Sequence, residues 1–155
     1  MEGQGRTTAP RSSLLLQLAI WLDGHLTRLF FIIGLLLCLK PYFLPYTPGV
    51  PFWELVLVIL HLPVQFARNW LGTAGNKKER PSLIAGFLWG TVWTALVTGY
   101  FWRQQEYALR IEVGIAAAAL LLAAAETVGA TLLGIAFCDN VWDLLHIVIA
   151  FFAAL

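Results

Sequence analysis

Four long apolar runs constrain the fold of this chain more than any other feature. They cover about residues 16–39, 52–71, 82–102 and 111–137, and a helix needs about 20 apolar residues to cross the hydrocarbon core of a bilayer. The runs are continuous, which is typical of membrane helices, whereas barrel strands alternate apolar and polar residues. The sequence therefore predicts an all-α membrane protein, a four-transmembrane-helix bundle with short loops and a short hydrophobic C-terminal helix.

The composition agrees with this fold class. Only 12% of the 155 residues are charged and 59% are hydrophobic, whereas soluble domains carry about 25% charged residues. The net charge of +1 creates no field that would attract nucleic acid, so the lipid bilayer is the expected partner and nucleic acid is not. The length leaves no room for a separate soluble domain.

Two terminal segments flank the bundle, which we expect to occupy residues 14–137. Residues 1–13 are polar and rich in Gly, Pro, Ser and Thr, which predicts a disordered arm. Residues 138–155 contain an apolar part of about 12 residues that starts at Leu144 and is too short to cross the membrane. We expect this segment to lie in the interface or to pack against the bundle.

The stretch from Arg68 to Pro81 has the densest charge in the chain. A cation costs about 2.5–3.5 kcal/mol at the bilayer centre, so we expect a tight, wet hairpin between the second and third helices. Arg68 is expected to lie in the last turn of the second helix and to snorkel to the interface. Gly72 and Gly75 are expected to adopt turn conformations, Asn76 to bond free backbone groups, and Pro81 to start the third helix.

Small residues recur along the third and fourth runs. Regular four-residue spacing places several of them on one face of a helix, where membrane helices approach each other closely. We expect these faces to be helix-packing surfaces, within the chain or in homo- or hetero-oligomers, although a chance alignment in a Gly-rich helix is the alternative. The residues concerned are Gly86, Gly90, Thr94 and Thr98 in the third run and Gly129 and Gly134 in the fourth.

Four polar residues interrupt the apolar runs. Asp23 and Arg28 lie either near the headgroups, which the rarity of charge inside membranes favours, or inside the bundle facing partner helices. Glu126 is either a proton or ion site, or a carboxyl bonded to a neighbouring helix, close to Arg28; the second interpretation is favoured because this helix core contains only one ionisable group. His61 is most simply a neutral side chain hydrogen-bonded within the bundle, because no second His or Cys stands at metal-ligand spacing.

Motifs of known chemistry are absent from the sequence. It contains no HExxH, no GxSxG, no phosphate-binding loop and no cysteine cluster. We therefore expect no enzymatic activity, no catalytic residues, no cofactor and no metal.

The distribution of cations predicts the orientation in the membrane. The side that holds the amino terminus and the central hairpin has more cations than the other side, and such an excess marks the cytoplasmic face. Both termini are therefore expected in the cytoplasm. The first group consists of Arg6, Arg11, Lys77, Lys78 and Arg80, and the second of Lys40, Arg103 and Arg110.

The hairpin resembles the signature of the transmembrane protein 216, 80 and 17 family. That pattern is an Arg near the end of the second span, then Gly-x-x-Gly-Asn, an acidic residue and a Pro, and it corresponds here to Arg68, Gly72, Gly75, Asn76, Glu79 and Pro81. Weaker similarities occur at Leu44–Tyr46, at Tyr107–Val113 and at Glu126. Relatives have Glu where this chain has Gln65, so an ion pair made by that Glu is lost here.

The resemblance implies a non-enzymatic role in the ciliary transition zone. Members of this family are four-span proteins of the tectonic-like complex at the cilium base, where they support cilium assembly and the membrane diffusion barrier. The resemblance therefore implies other transition-zone membrane proteins as partners and the ciliary membrane as location. The alternative from the residues alone is a small oligomeric transporter or channel in which Glu126, Arg28 and His61 line a path.

Overall fold

The computed structural model describes residues 11–137, and within that range the chain forms four long α-helices. They are α1 (Leu14–Leu37), α2 (Val50–Lys78), α3 (Pro81–Arg103) and α4 (Arg110–Phe137). Each is long and apolar enough to cross a membrane, so the prediction of an all-α membrane protein with four spans is confirmed. The predictions for residues 1–10 and for the C-terminal segment 138–155 lie outside the described residues.

The four helices form an up-and-down bundle. α1 packs against α2 and α4, and α3 packs against the same two helices, as short connections between antiparallel neighbours require. One end of the bundle, here called the turn end, holds Ser13 and the turn between α2 and α3. The opposite end, the loop end, holds residues 38–49 and 104–109.

The core consists of two apolar layers with polar side chains between them. The layer near the turn end contains Leu16, Ile20, Ile84, Phe87, Ala130 and Phe137. The layer near the loop end contains Phe30, Val58, Val97, Phe101 and Ala116. The buried polar side chains between the two layers come from all four helices and form the site described below.

The connection between α2 and α3 is much shorter than the predicted hairpin. α2 continues to Lys78, and only Glu79 and Arg80 separate it from α3. Glu79 ends the helix in the left-handed conformation (φ 51°), and its N–H donates to the carbonyl of Gly75. The prediction of a wet hairpin from Arg68 onwards was therefore wrong, whereas Pro81 does start α3.

Gly72 and Gly75 are helical, so the predicted turn conformations at these positions were also wrong. Their role is close packing. A Cβ added to Gly72 would lie 2.6 Å from the Phe87 ring of α3 and 2.9 Å from Ile20 of α1, and one added to Gly75 would lie 2.9 Å from Ile84 Cδ1. Glycine is unfavourable inside a helix by about 1 kcal/mol, but here it lets two neighbouring helices approach α2.

The small-residue faces of α3 and α4 also pack inside the chain. In α3 they meet α2: a Cβ added to Gly86 would lie 3.3 Å from Leu71, and one added to Gly90 would lie 3.1 Å from the side chain of Arg68. Thr94 and Thr98, farther along the same face, are fully buried. In α4, added Cβ atoms at Gly129 and Gly134 would meet Leu16 at 3.6 Å and Ile84 at 3.5 Å. At all six positions, neighbouring helices of the same chain occupy the face.

Candidate functional site

The polar layer in the middle of the bundle is organised around Arg68. This residue is 1% exposed, so the prediction that it snorkels to the interface was wrong. Its Nη1 donates to Asp23 Oδ2 at 3.1 Å, its Nε donates to Thr91 Oγ1 at 3.1 Å, and its Nη2 donates to Glu126 Oε2. The guanidinium carbon also lies 4.4 Å from the centre of the Phe87 ring.

The contacts of Arg68 join all four helices. Asp23 comes from α1, Arg68 itself from α2, Thr91 from α3 and Glu126 from α4. Gly90 makes room for the stem of the arginine, because a Cβ there would lie 3.1 Å from both Cβ and Cγ of Arg68. We call Asp23, Arg68, Thr91 and Glu126 the Arg68 cluster.

Hydrogen bonds satisfy most of the polar atoms in this cluster, whereas Glu126 Oε1 has no hydrogen-bond partner among residues 11–137. An arginine has five N–H donors and cannot be neutralised, and removing one partner of a buried ion pair is strongly destabilising. Asn69 supports the pair from the side: its Nδ2 donates to Asp23 Oδ2 at 2.8 Å, and its Oδ1 accepts from Arg68 Nη1 at 3.2 Å. Asp23 and Glu126 are 1% and 0% exposed, so bulk solvent does not reach these two carboxyl groups.

Four further polar side chains lie next to the cluster on the side of the loop end. Thr94 Oγ1 donates to Gln65 Oε1 at 2.7 Å, and Gln65 Nε2 donates to Thr27 Oγ1 at 3.4 Å. His61 lies one helical turn before Gln65 in α2. It is buried, and its ring lies 5.2 Å from that of Phe30. Within the part of the chain that the structure describes, His61 Nδ1 has no hydrogen-bond partner, so the predicted hydrogen bond of this residue is not seen at that atom.

The four polar residues predicted inside the membrane do not all lie in one cluster. Asp23 and Glu126 are buried and bind the same guanidinium, that of Arg68. Arg28 is exposed on the outside of the bundle, so the expectation that Glu126 lies close to Arg28 was wrong. A path lined jointly by Glu126, Arg28 and His61 does not fit this arrangement, because two of these residues face inwards and the third faces outwards.

At the turn end, residues of the predicted hairpin hold the start of α1. Asn76 Oδ1 accepts from the backbone N–H of Ser13, and Asn76 Nδ2 donates to the Ser13 carbonyl, both at 2.8 Å. Glu79 Oε1 accepts from the backbone N–H of Arg11 at 2.8 Å. Asn76 was expected to bond free backbone groups, and the backbone groups that it bonds belong to a segment 63 residues earlier in the chain. Ser13 in turn caps α1 by accepting from the N–H of Leu16.

At the loop end, a buried ion pair closes the bundle. Lys40 Nζ donates to Glu112 Oε2 at 2.5 Å and to the Tyr107 carbonyl at 3.0 Å. Gln105 Nε2 and the backbone N–H of Leu109 donate to the same carboxylate. From the sequence, Lys40 was counted only among the cations of its side of the membrane, and the partners of this lysine lie in the segment Tyr107–Val113, which resembles the relatives.

Two tyrosine rings pack against each other at the loop end, near the Lys40–Glu112 ion pair. The rings of Tyr46 and Tyr107 lie 4.9 Å apart, and Tyr107 Oη donates to the Pro45 carbonyl at 3.1 Å. Partial burial, with a smaller contribution from the nearby Glu54 carboxyl, raises the pKa of the Tyr46 hydroxyl above its usual range. The loop segment Leu44–Tyr46 thus packs on Tyr107, in the loop that precedes α4.

The chemistry available in these sites is that of ion pairs and hydrogen bonds. Among residues 11–137, no three His, Cys, Asp or Glu side chains form a group that could hold a metal ion. The polar groups of the Arg68 cluster, of Asn76 and of Lys40 bind other groups of the same chain. Their arrangement fixes the four helices relative to one another.

Comparison with known proteins finds relatives over most of the chain. Residues 15–123 match a family described as predicted membrane protein, Transmemb_17. The chain is 29% identical to transmembrane protein 216 of Homo sapiens over 114 residues, which cover 70% of this chain and 79% of the relative. It is 30% identical to transmembrane protein 216 of Rattus norvegicus and of Mus musculus over 109 residues, which cover 67% of this chain and 77% of each relative. No solved structure matches.

Proposed function

Because this chain belongs to the Transmemb_17 family of predicted membrane proteins, we propose that it is a non-enzymatic, multi-pass component of the ciliary transition zone. It supports cilium assembly and the membrane diffusion barrier at the cilium base, and its partners are other membrane subunits of the tectonic-like complex. The similarity to transmembrane protein 216 over more than two thirds of the chain supports this assignment.

The observation that supports the proposal most directly is that the polar residues of the family motif form contacts within the chain. Arg68, Asn76 and Glu79 all bind groups of the same chain. A motif whose polar atoms join helices suits a scaffold, whereas an enzyme needs reactive groups free to meet a substrate. The transporter alternative has less support, because Glu126 is fully buried against Arg68 and Arg28 lies on the outer surface.

The turn end is proposed to face the cytoplasm. Lys77, Lys78 and Arg80 are exposed there, whereas at the loop end Lys40 is neutralised by Glu112, which leaves Arg103 and Arg110. With Arg11, which is also exposed at the turn end, the described residues have four exposed cations at that end and two at the loop end, and such an excess predicts the cytoplasmic side. A glycosylation tag inserted after Thr47 should be modified, and one inserted after Lys78 should not. The reverse pattern would invert the orientation.

The location in the cell tests the proposal directly. A tagged copy, imaged in ciliated cells against basal-body and axoneme markers, should form a ring between the two. Leu121→Ala, a change on the exposed surface of α4, is a matched control and should localise in the same way. A uniform signal in the plasma membrane or endoplasmic reticulum for the wild-type protein would refute the ciliary assignment.

A further inference from the structure

Arg28 occupies an unusual place on the surface of the bundle. It lies within α1 and is exposed. Among residues 11–137, the other exposed cations lie near the ends of the helices or beyond them. No hydrogen bond or ion pair joins Arg28 to any part of the chain that the structure describes. Charged residues in membrane spans almost always face the bundle interior or a water-filled cavity. We therefore expect this exposed arginine to bind a group outside the bundle.

The depth of Arg28 follows from the two fixed ends of α1. Ser13 is held at the turn end by Asn76, and Lys40 is held at the loop end by Glu112. The 27 residue steps from Ser13 to Lys40 span about 40 Å at about 1.5 Å per step, close to the full thickness of a bilayer with its headgroups. Arg28 is 15 residues from one end and 12 from the other. Its backbone therefore lies within about 3 Å of the midpoint between these two ends, which is near the bilayer centre when the bundle is centred in the membrane.

The surface around Arg28 is apolar except for one neighbour. Trp21, Leu29 and Ile32 are about half exposed on the same side of α1. His25 lies one turn before Arg28, with its ring 4.2 Å from that of Trp21 and its Nδ1 3.0 Å from the Trp21 carbonyl. We call Trp21, His25, Arg28, Leu29 and Ile32 the α1 outer face. It is an apolar strip with hydrogen-bond donors at its centre.

We propose that the α1 outer face binds a transmembrane helix of another protein that carries an Asp or Glu near the bilayer centre. A carboxylate is the side chain that meets a guanidinium with two parallel hydrogen bonds. An arginine left in hydrocarbon costs about 2.5–3.5 kcal/mol, and a partner carboxylate removes that cost for both groups. The inference rests on the position of α1 in the bilayer and not on the ciliary assignment.

No acidic residue within the described range, 11–137, of a second copy supplies the carboxylate. The acidic residues within the spanning helices are Asp23, Glu54, Glu112 and Glu126, and all four are buried. In the described range, the remaining acidic side chains, Glu79 and Glu106, lie outside the helices at opposite ends of the bundle. Two copies meeting at the α1 outer face would bring two arginines together, so the charges favour a different protein.

Photocrosslinking in native membranes tests the proposal. A photoreactive amino acid at Ile32 of the full chain should form an adduct with another membrane protein. Arg28→Leu should lower the yield about ten-fold, which corresponds to about 1.4 kcal/mol, within the range for polar contacts between membrane helices. Arg28→Lys should retain most of it. The matched control is Arg103→Leu, which removes an exposed cation at the end of α3 and should leave the yield unchanged.

The identity of the cross-linked peptide decides the outcome. Support requires an Asp or Glu in the partner's membrane helix and recovery of the adduct when Arg28→Glu is combined with an Arg at that acidic position. Adducts with lipid alone, with a second copy or within the same chain would overturn the proposal. Thermal stability in detergent distinguishes partner binding from a structural role of Arg28 within the bundle. Purified Arg28→Leu should unfold at the same temperature as the wild type or at a higher one, and a clear fall in the unfolding temperature would also overturn the proposal.

Discussion

Replacing Gly72 by alanine tests whether close packing explains the glycines of α2. The added Cβ would lie 2.6 and 2.8 Å from two atoms of the Phe87 ring and 2.9 Å from Ile20. Both neighbours are buried, at 0% and 3% exposure, and they belong to different helices, so neither can move away cheaply. Overpacking of a core costs about 1–3 kcal/mol, and three such contacts favour the upper end. The better helix propensity of alanine offsets about 1 kcal/mol, which leaves a net destabilisation of about 2 kcal/mol.

The matched control is Gly99→Ala, within α3. A Cβ at Gly99 meets no atom within 4 Å, so this variant gains the same helix propensity without the clash and should be at least as stable as the wild type. The free energy of unfolding, measured by titration with a denaturing detergent in mixed micelles, should rank Gly99→Ala above wild type and Gly72→Ala below it. Equal stability of the two alanine variants would refute the packing explanation.

Three further changes test the polar contacts. Arg68→Met leaves two buried carboxyl groups without their cation and should destabilise the bundle by about 3–5 kcal/mol; a loss below about 1 kcal/mol in the same titration would contradict the central role of this residue. Asn76→Ala removes both 2.8 Å bonds to Ser13 and should speed hydrogen exchange in the first turn of α1, while the rest of the bundle exchanges as before. Lys40→Met leaves the Glu112 carboxylate buried without its ammonium and should lower the melting temperature; Glu112→Gln combined with it should recover part of the loss, and no recovery would mean that the pair is not coupled.

The sequence predicts the spans because membrane insertion depends on local hydrophobicity. Four apolar runs of about the right length are enough to specify four helices, and the predicted ranges agree with the observed ones except at the end of the second. There, the charges and glycines of residues 72–78 are local signals for a loop, but contacts with Ile20, Ile84 and Phe87 keep the segment helical. These contacts join residues that are distant in the sequence or on different helices, so the local sequence pattern of residues 72–78 does not reveal them.

The partners of Arg68 could not be predicted from the sequence. Asp23 and Glu126 lie 45 and 58 residues away in the chain, and their meeting depends on how each helix is rotated about its axis. Because lipid-facing residues are as apolar as core residues, periodicity does not reveal that rotation. One restriction was available: Asp23 and Arg28 are five residues apart, which places them about 140° apart around a helix. Both residues could therefore not have faced the same neighbour.

The four-helix contacts of Arg68 also set an order for the insertion of the nascent chain. Asp23 has already been synthesised when α2 leaves the ribosome, so α1 and α2 can enter the bilayer as a pair that shields the arginine on one side. The carboxyl of Glu126 arrives only with α4, 58 residues later. Until then Asp23 balances the charge of the guanidinium, but Arg68 Nη2 lacks the carboxylate partner that it has in the complete bundle. A chain that stops before α4 therefore keeps a charged donor of Arg68 inside the membrane without its carboxylate partner.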